Sequence, residues 1–357
     1  MNRIYLIVAL FLVVASCKKQ EKPTVVGTNE NGEELIVNET GDTVVYEAPI
    51  VENDEEITEK EEERVVAVKS EKDGTYKFEL NLKKGQKYPF KITTTGTNAQ
   101  SDGKNSQTIT QESTTALEYE VKEVRDSIFL LDVTYKRFSE SMSDGKEKIG
   151  FDTNSAEPTN PEAKERWKFN NAVVGNTFQM EVSKNGNVQN ISNLYKVRDK
   201  VKNAMKTGLN DEELKGLDQF LAAALSDEAM EQQFLESMAY YPKKKVKPGD
   251  TWSRNESEGS ASSTVNYTFE GVKDNLATIK ISGTSEGNDS RTDPNGSGMK
   301  IFQSLEGSVN GTVKIDVNSG WVNNAEMKKD EVIRMTQEFQ GQKANFSSET
   351  KSTTKIN

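Results

Sequence analysis

The chain has 357 residues, with 46 lysines and arginines, 57 aspartates and glutamates, one cysteine and no histidine. The lack of histidine excludes Ser-His-Asp and Cys-His catalysis and imidazole metal sites. A single cysteine excludes an intramolecular disulfide and a thiolate metal cluster. The formal net charge of −11 argues against a nucleic-acid-binding protein, which needs a basic surface. We therefore expect no cofactor, no metal site and no nucleic-acid partner.

The N-terminus has the composition of a secretion signal. Arg3 precedes an apolar stretch, Ile4 to Ala15. A membrane-spanning helix needs about 20 apolar residues, so this stretch is too short to cross a bilayer. Its length and flanks are typical of the apolar region of a signal peptide. Residues 1–16 are thus predicted to be a signal peptide, and the protein is predicted to be exported.

The residues that follow resemble a bacterial lipobox: Val14, Ala15, Ser16 and Cys17. The resemblance implies cleavage before Cys17, attachment of a lipid to its sulfur and acylation, as with palmitate, of its new amino group. Several acyl chains hold a protein stably on a membrane. An ordinary signal peptide with an incidental cysteine and an uncleaved anchor are the alternatives. Because Lys18 follows the cysteine, the general rule for Gram-negative lipoproteins points to the outer membrane, with the leaflet left open.

Residues 17–74 are predicted to form a lipidated, flexible and acidic tether. From Lys18 to Gly74 the chain has 17 acidic and 7 basic residues, and the acids are densest over residues 52–63. Like charges at this density extend a chain that has little apolar surface to bury. The acidic run lacks the spacing of a calcium loop. One marginal hairpin, of 34–37 with 43–46, is expected within this tether.

Residues 75–357 are predicted to form a single β-rich domain of the α+β class. Apolar and polar residues alternate along 76–82 and 88–92, on either side of a turn at Gly85. Alternation of this kind predicts antiparallel strands. Further strands are expected at about 108–124 and 127–142.

An internal repeat divides this domain. Residues 117–133 align without gaps on residues 265–281, and Gly85 and Gly249 lie in similar turns upstream. We therefore predict two related antiparallel β-units, 75–157 and 247–357, arranged as a curved sheet, a half-barrel or a sandwich around one core.

The segment between the units, 158–246, is predicted to be a largely helical insert with a hairpin at 177–191. Asn210 and Glu213 have the spacing of an N-terminal capping box. Apolar residues recur at helical spacing from Leu214 to Met238. This stripe is typical of core packing, and it is also the best place in the sequence for an apolar cavity.

Two segments of the second unit have few apolar residues. The Gly-, Ser- and Asn-rich stretch 283–298 is predicted to be a flexible loop, and the last strand, beyond Phe339, a polar strand at the edge of the sheet.

Several turns and strand starts resemble those of a family of uncharacterised secreted lipoproteins of the Bacteroidota. They are Lys-Lys-Gly-Gln-Lys-Tyr at 83–88, Lys-Pro-Gly-Asp-Thr-Trp at 247–252 and Asn-Ser-Gly-Trp at 318–321. The resemblance covers residues 75–357 and implies no activity or site. Residues 42–44 and 126–128 also resemble the short O-glycosylation signal of these bacteria.

Three classes of function are consistent with the sequence. The first is a non-enzymatic accessory lipoprotein that binds an apolar ligand such as a lipid. The second is a surface-displayed structural module that contacts proteins or glycans. The third, least favoured, is a hydrolase of the glycosidase type with paired carboxylates, for which Asp126 and Asp274 are the candidates. The Ser-x-x-Lys matches at 101–104 and 143–146 are interpreted as Asp-Gly turns rather than as catalytic motifs.

Overall fold

The computed structural model describes residues 25–28, 34–37, 43–45, 66–238, 240–292 and 299–357. The chain divides into two compact units, a smaller one over residues 15–64 and a larger one that contains residues 65–357. The predicted signal peptide, Cys17 with its lipobox and the acidic run at 52–63 lie outside the described residues.

The smaller unit contains a three-stranded antiparallel sheet of β1 (Val25–Thr28), β2 (Glu34–Val37) and β3 (Thr43–Val45). Strands β2 and β3 pair in the predicted hairpin, with Leu35 opposite Val45. Strand β1, which the sequence analysis did not predict, pairs with β2 on its other side.

The larger unit is mostly β-structure with four helices among its described residues. Its strands are β4 (Val68–Ser70), β5 (Tyr76–Phe78), β6 (Lys87–Ser101), β7 (Ser106–Arg125), β8 (Ile128–Ser143), β9 (Lys148–Asp152), β10 (Thr177–Ser183), β11 (Val188–Ser192), β12 (Thr251–Glu258), β13 (Ala261–Lys273), β14 (Leu276–Thr292), β15 (Lys300–Asp316), β16 (Val322–Phe339) and β17 (Gln342–Ile356). Its helices are α1 (Pro161–Val173), α2 (Leu194–Met205), α3 (Asp211–Ala224) and α4 (Asp227–Met238).

All strands from β6 onward form one open antiparallel sheet. Its order is β11-β10-β8-β7-β6-β17-β16-β15-β14-β13-β12, and β9 pairs with β8 beyond the end of β10. Strands β4 and β5 form a separate two-stranded sheet. The β-rich composition with few helices agrees with the prediction. Of the arrangements that the sequence allowed, the sandwich is wrong, because the strands of both predicted units lie side by side in one sheet.

Strand β17 corrects one expectation. It was predicted to be a polar edge strand, but it pairs with β16 on one side and with β6 on the other. The strands at the ends of the sheet are instead β11 and β12. The prediction failed because a polar sequence reports the environment of the side chains, whereas the position of a strand within a sheet depends on its backbone hydrogen bonds.

The predicted flexible loop is also partly wrong. Residues 283–292 continue β14 and pair without interruption with β15. Glycine and serine suggested a loop because they are uncommon in strands. Here two of the glycines, Gly283 and Gly287, lie where the backbone of β13 comes close. Residues 293–298 lie outside the described part of the chain.

The strands that contain the sequence repeat are paired in equivalent registers. Tyr119 lies opposite Val133 in the first hairpin, and Tyr267 lies opposite Ile281 in the second. The register shifts directly after Val121 in β7 and directly after the aligned Phe269 in β13.

The upstream glycine turns dock on these hairpins in the same way. The Gly85 amide donates to the Val121 carbonyl at 2.7 Å, and the Gly249 amide donates to the Phe269 carbonyl, also at 2.7 Å. The Val121 amide in turn donates to the Gln86 carbonyl, and the Phe269 amide donates to the Asp250 carbonyl.

The equivalence extends to two further strands. In the hairpin of β10 and β11, which the sequence places in the helical insert, β10 pairs with β8 as β15 pairs with β14. Phe178 lies opposite Val133, and Gly311 lies opposite Ile281. Each hairpin has one register shift, after Glu181 in β10 and after Lys314 in β15.

The core lies on one face of the sheet, in the half that ends at the turns 126–127 and 274–275. Strands β4 and β5 pack on this half, where Phe78 contacts Phe269 with ring centroids 5.3 Å apart. The Trp321 ring, from the turn between β15 and β16, packs against Tyr88 and Tyr119 at 5.0 and 4.9 Å. Each such side chain stabilises the fold by about 1.5–3 kcal/mol through burial.

The helices contact β8 to β11 and one another. Asn210 and Glu213 form the predicted capping box at the start of α3. The apolar stripe of α3 and α4 packs into the core, since Leu221, Met230 and Phe234 are buried. The stripe is therefore a core element, and the cavities described below lie elsewhere.

Candidate functional site: the uncovered half of the inner face

Residues that face each other directly in an antiparallel pair lie on the same face of a sheet. The buried row Ile356, Ala325, Val313, Ile279 and Phe269 crosses five adjacent strands in this way. We call the face that carries this row the inner face and the opposite face the outer face. The half of the sheet beyond the row, toward the turn at 102–105, is the far half.

The inner face of the far half is rich in large apolar side chains that the rest of the described chain covers only in part. Except for the buried Phe151 and the exposed Phe339, all of these side chains are intermediate in exposure. They are Ile109, Met142, Ile149, Phe151, Val265, Ile301, Leu305, Val309, Met327, Ile333, Met335, Phe339 and Phe346.

The outer face of the same strands is polar. It carries mainly threonine, serine and charged residues, and its large apolar side chains are Phe302 and Val332. Soluble proteins rarely expose a large contiguous apolar patch without a use for it. The asymmetry between the two faces therefore indicates an interaction surface on the inner face.

Glycines allow strands to pack closely on the inner face. Gly96, Gly283, Gly287, Gly307 and Gly311 all lie on it within strands. A Cβ atom at Gly96 would lie 2.6 Å from the Lys351 carbonyl oxygen. Glycine is found where backbones approach closely. The strands are therefore closely packed at these positions of the inner face.

A groove of about 800 Å³ opens at the far end of the inner face. Its apolar wall is formed by Ile333, Met335 and Phe346 from β16 and β17. Gln100, Gln107 and Gln303 line it from β6, β7 and β15, and their side-chain amides form no hydrogen bond with any described residue. Its remaining lining residues are mainly hydroxyl side chains and turn residues: Ser101, Asp102, Asn105, Ser106, Thr108, Asp144, Lys146, Ser347 and Ser348.

The two turns at the rim of this groove have the same construction. Asp102 accepts hydrogen bonds from the amides of Lys104 and Asn105, at 2.8 and 2.6 Å. Asp144 accepts them from the amides of Lys146 and Glu147, both at 2.9 Å. These bonds lower the pKa of Asp102 to about 2 and that of Asp144 below its ordinary value. Both carboxylates are thus ionised and engaged in their own turns.

A row of polar side chains crosses the floor of the far half between β6 and β17. Asn98 donates from Nδ2 to Ser348 Oγ at 2.8 Å and to Thr350 Oγ1 at 2.7 Å. The Asn98 Oδ1 atom is buried and has no hydrogen-bond partner. A buried acceptor without a partner lowers stability, so this atom is available to a donor from a ligand or water.

A second cavity of about 230 Å³ adjoins the groove, since Gln107 and Asp144 line both. It lies between α1 and strands β8 and β9. Arg166 of α1 donates from one terminal nitrogen to Glu140 and from the other to Glu162. The charge of this arginine is therefore already compensated within the cavity.

The structure does not bring the candidate catalytic carboxylates together. Asp126 lies in the turn between β7 and β8, and Asp274 lies in the turn between β13 and β14. Four strands separate these two hairpins in the sheet: β6, β17, β16 and β15. The Ser-x-x-Lys matches are the two rim turns, as the sequence analysis interpreted them.

The described residues were also searched for metal clusters and membrane-spanning helices. They contain no cluster of three or more carboxylate or thiolate side chains placed to hold a metal ion. None of their helices has the length and hydropathy needed to cross a membrane.

The groove was not predicted from the sequence. Its residues come from β6, β7, β15, β16 and β17, and their alternation in sequence is weak because glycine, serine and glutamine interrupt the apolar positions. The signal in the sequence was the alternation of Ile333 and Met335 with Arg334 and Thr336, a segment for which no prediction was made.

One known family matches more than half of the chain. Residues 126–322, from the turn before β8 to the start of β16, match the Family of unknown function (DUF6263). The chain belongs to this family. The match includes the helices and the hairpin of β10 and β11. The family description names no activity. No curated protein matches the chain.

Solved structures give only remote likenesses. A structure described as lipid-protein interactions in lipovitellin is 9% identical at a TM-score of 0.36, and the match covers 77% of this chain and 25% of that one. The chain thus spans about a quarter of the lipovitellin chain. Salmonella typhi OmpF, in complex with daunomycin, is 8% identical at a TM-score of 0.19, and the match covers 79% of this chain and 98% of that one. Likenesses at these TM-scores do not bear on the function of the DUF6263 chain.

Proposed function

We propose that this protein is a membrane-anchored lipoprotein of the bacterial cell envelope that binds an elongated apolar or amphiphilic molecule, without catalysing a reaction. The observation that carries the proposal is the asymmetry of the sheet. Most large apolar side chains of the far half lie on the inner face, and they lead into a groove of about 800 Å³. Ligand sites are typically concave and largely apolar, with a few polar groups that orient the ligand.

The anchor is proposed from the sequence. Cys17 stands at the end of the apolar stretch, directly after small residues. Two or more acyl chains would hold the protein on the membrane, and the acidic segment that follows would separate the sheet from the lipid surface. The resemblance to secreted lipoproteins of the Bacteroidota supports the same location in the outer membrane.

A common origin of the two β-units is a further part of the proposal. Strands β6, β7, β8, β10 and β11 have the same order as β12 to β16, and the register shifts after Val121 and Glu181 have counterparts after Phe269 and Lys314. Duplication of a five-strand unit accounts for this agreement, with β17 as the strand that joins the two copies.

The ligand-binding proposal is tested by native mass spectrometry of the chain purified from its membrane. The expected spectrum has an adduct that organic solvent removes. Phe346→Ser and Ile333→Thr, on the inner face, should weaken binding of the adduct about fivefold to a hundredfold, since each removes roughly 1–3 kcal/mol of apolar contact.

Matched controls lie on the outer face of the same strands or of their neighbours. Phe302→Ser and Val332→Thr make the same kinds of change there, and Phe302 is 43% exposed. These variants should keep the adduct. A chain without an adduct, or equal losses from both faces, would contradict the proposal.

A further inference from the structure

The polar lining of the groove is informative about the head group of the proposed ligand. Gln100, Gln107 and Gln303 come from three different strands and converge on one groove. Each primary amide offers one acceptor and two donor hydrogens, and none is used by another described residue. The groove therefore presents several unused hydrogen-bonding groups that carry no charge.

The charged groups at the rim do not select an ion. Lys146 is one amine beside the carboxylates of Asp102 and Asp144, and both carboxylates are bound by the amides of their own turns. An anionic head would meet two carboxylates, and a cationic head would meet Lys146. Since a charge that leaves water needs a matched partner, neither kind of head is favoured here.

The apolar wall continues from the groove along the inner face. On β15, Leu305, Gly307 and Val309 follow Gln303 on this face. The six residues of strand from Gln303 to Val309 span about 20 Å at about 3.3 Å each, which accommodates an extended acyl chain of roughly twelve carbons. On β16 the charges on this face, Lys329 and Glu331, pair with each other at 2.5 Å.

We infer that the groove takes an amphiphile with an uncharged head rich in hydroxyl or amide groups, its head at the three glutamines and its tail along β15 and β16. This inference rests on the proposed function and names the class of ligand. The head is held by hydrogen bonds, so its affinity is nearly independent of salt, whereas an ion-paired head would be released by salt.

The test uses the full chain with Cys17→Ala, titrated calorimetrically below the micellar concentration with three probes that share a dodecyl tail. Dodecyl maltoside has a neutral polyhydroxyl head, laurate an anionic one and dodecyltrimethylammonium a cationic one. Dodecyl maltoside should bind at least about tenfold more tightly than either charged probe, and equally at low and high salt. Gln100→Ala and Gln303→Ala should each weaken it about threefold to tenfold. Ser304→Ala, next to Gln303 but on the outer face, is the control and should have no effect.

Other results would overturn the inference, and some of them would overturn the proposed function too. Equal affinity for all three probes, or tighter binding of a charged one, overturns the inference and leaves the proposed function standing. If maltose alone binds as tightly as dodecyl maltoside, the tail is irrelevant and the groove is a glycan site, which overturns both. If no probe binds and the native spectrum also lacks an adduct, the proposed function fails as well.

Discussion

Single residues on the inner face set how closely the strands approach. Gly96 of β6 lies against β17, where a Cβ atom would be 2.6 Å from the Lys351 carbonyl oxygen and 3.1 Å from the Ser352 Cβ atom. The nearer atom belongs to the backbone of a strand that is paired on both sides, so it cannot move without disturbing the sheet.

We predict that Gly96→Ala lowers the free energy of unfolding by about 1–3 kcal/mol, the usual cost of overpacking. Chemical denaturation followed by circular dichroism measures this change. Gly216→Ala in α3 is the matched control, because a Cβ atom there meets nothing within 4 Å. It should raise stability by about 0.5–1 kcal/mol through helix propensity. Equal effects at both positions would contradict the close approach of β6 and β17.

Cys17 is the other residue whose role can be tested alone. Metabolic labelling with a palmitate analogue should mark the wild-type chain, and Cys17→Ala should lose the label and move from the membrane fraction to the soluble fraction. Cys17→Ser is a closer replacement in size and should behave in the same way, since the predicted lipid is attached through sulfur. A label that survives both changes would refute the lipobox prediction.

At the scale of elements, β17 determines how the sheet is connected. It pairs with β6 over residues 347–356 and with β16 over residues 342–356. The strands that it joins are far apart in sequence, so the connection forms only when both halves of the chain are in place. Its alternating threonine, serine and lysine residues predict a strand, and the same residues are found on edge strands.

Hydrogen exchange distinguishes a central β17 from an edge strand. Peptides from residues 342–356 should be protected as strongly as those from β6, because amides on both sides of the strand are hydrogen-bonded. In β12 (Thr251–Glu258), which pairs only with β13, about every second amide should exchange quickly. Exchange of β17 as fast as that of β12 would be incompatible with its position in the sheet.

The helices, unlike β17, lie where the sequence predicted them. The capping box of Asn210 and Glu213 and the apolar stripe of α3 and α4 are local features, and each formed where the sequence analysis placed it. The signals that predict a helix come from residues within a few positions of one another, so they can be read from the sequence alone. The cavity beside the stripe stays a prediction, because a cavity depends on what packs against a helix and not on the helix alone.

At the scale of the whole molecule, the repeat and the groove are connected. Each five-strand unit contributes part of the inner face, and β17 brings the two parts together in one sheet. The groove lies over this junction, since its lining comes from β6 and β7 on one side of β17 and from β15 and β16 on the other. A binding surface of this width requires both units and the strand between them.

The sequence by itself determined the β-rich class, the hairpins, the helices with their caps and the short repeat around Tyr119 and Tyr267. These follow from alternation, turn residues and helical spacing, all of which act over short distances along the chain. Only the tertiary structure decided that the two units share one sheet, that β17 lies at its centre and that the half-exposed apolar side chains converge on one groove. Pairing between strands more than 200 residues apart is fixed by backbone hydrogen bonds, and these leave no trace in the order of the side chains.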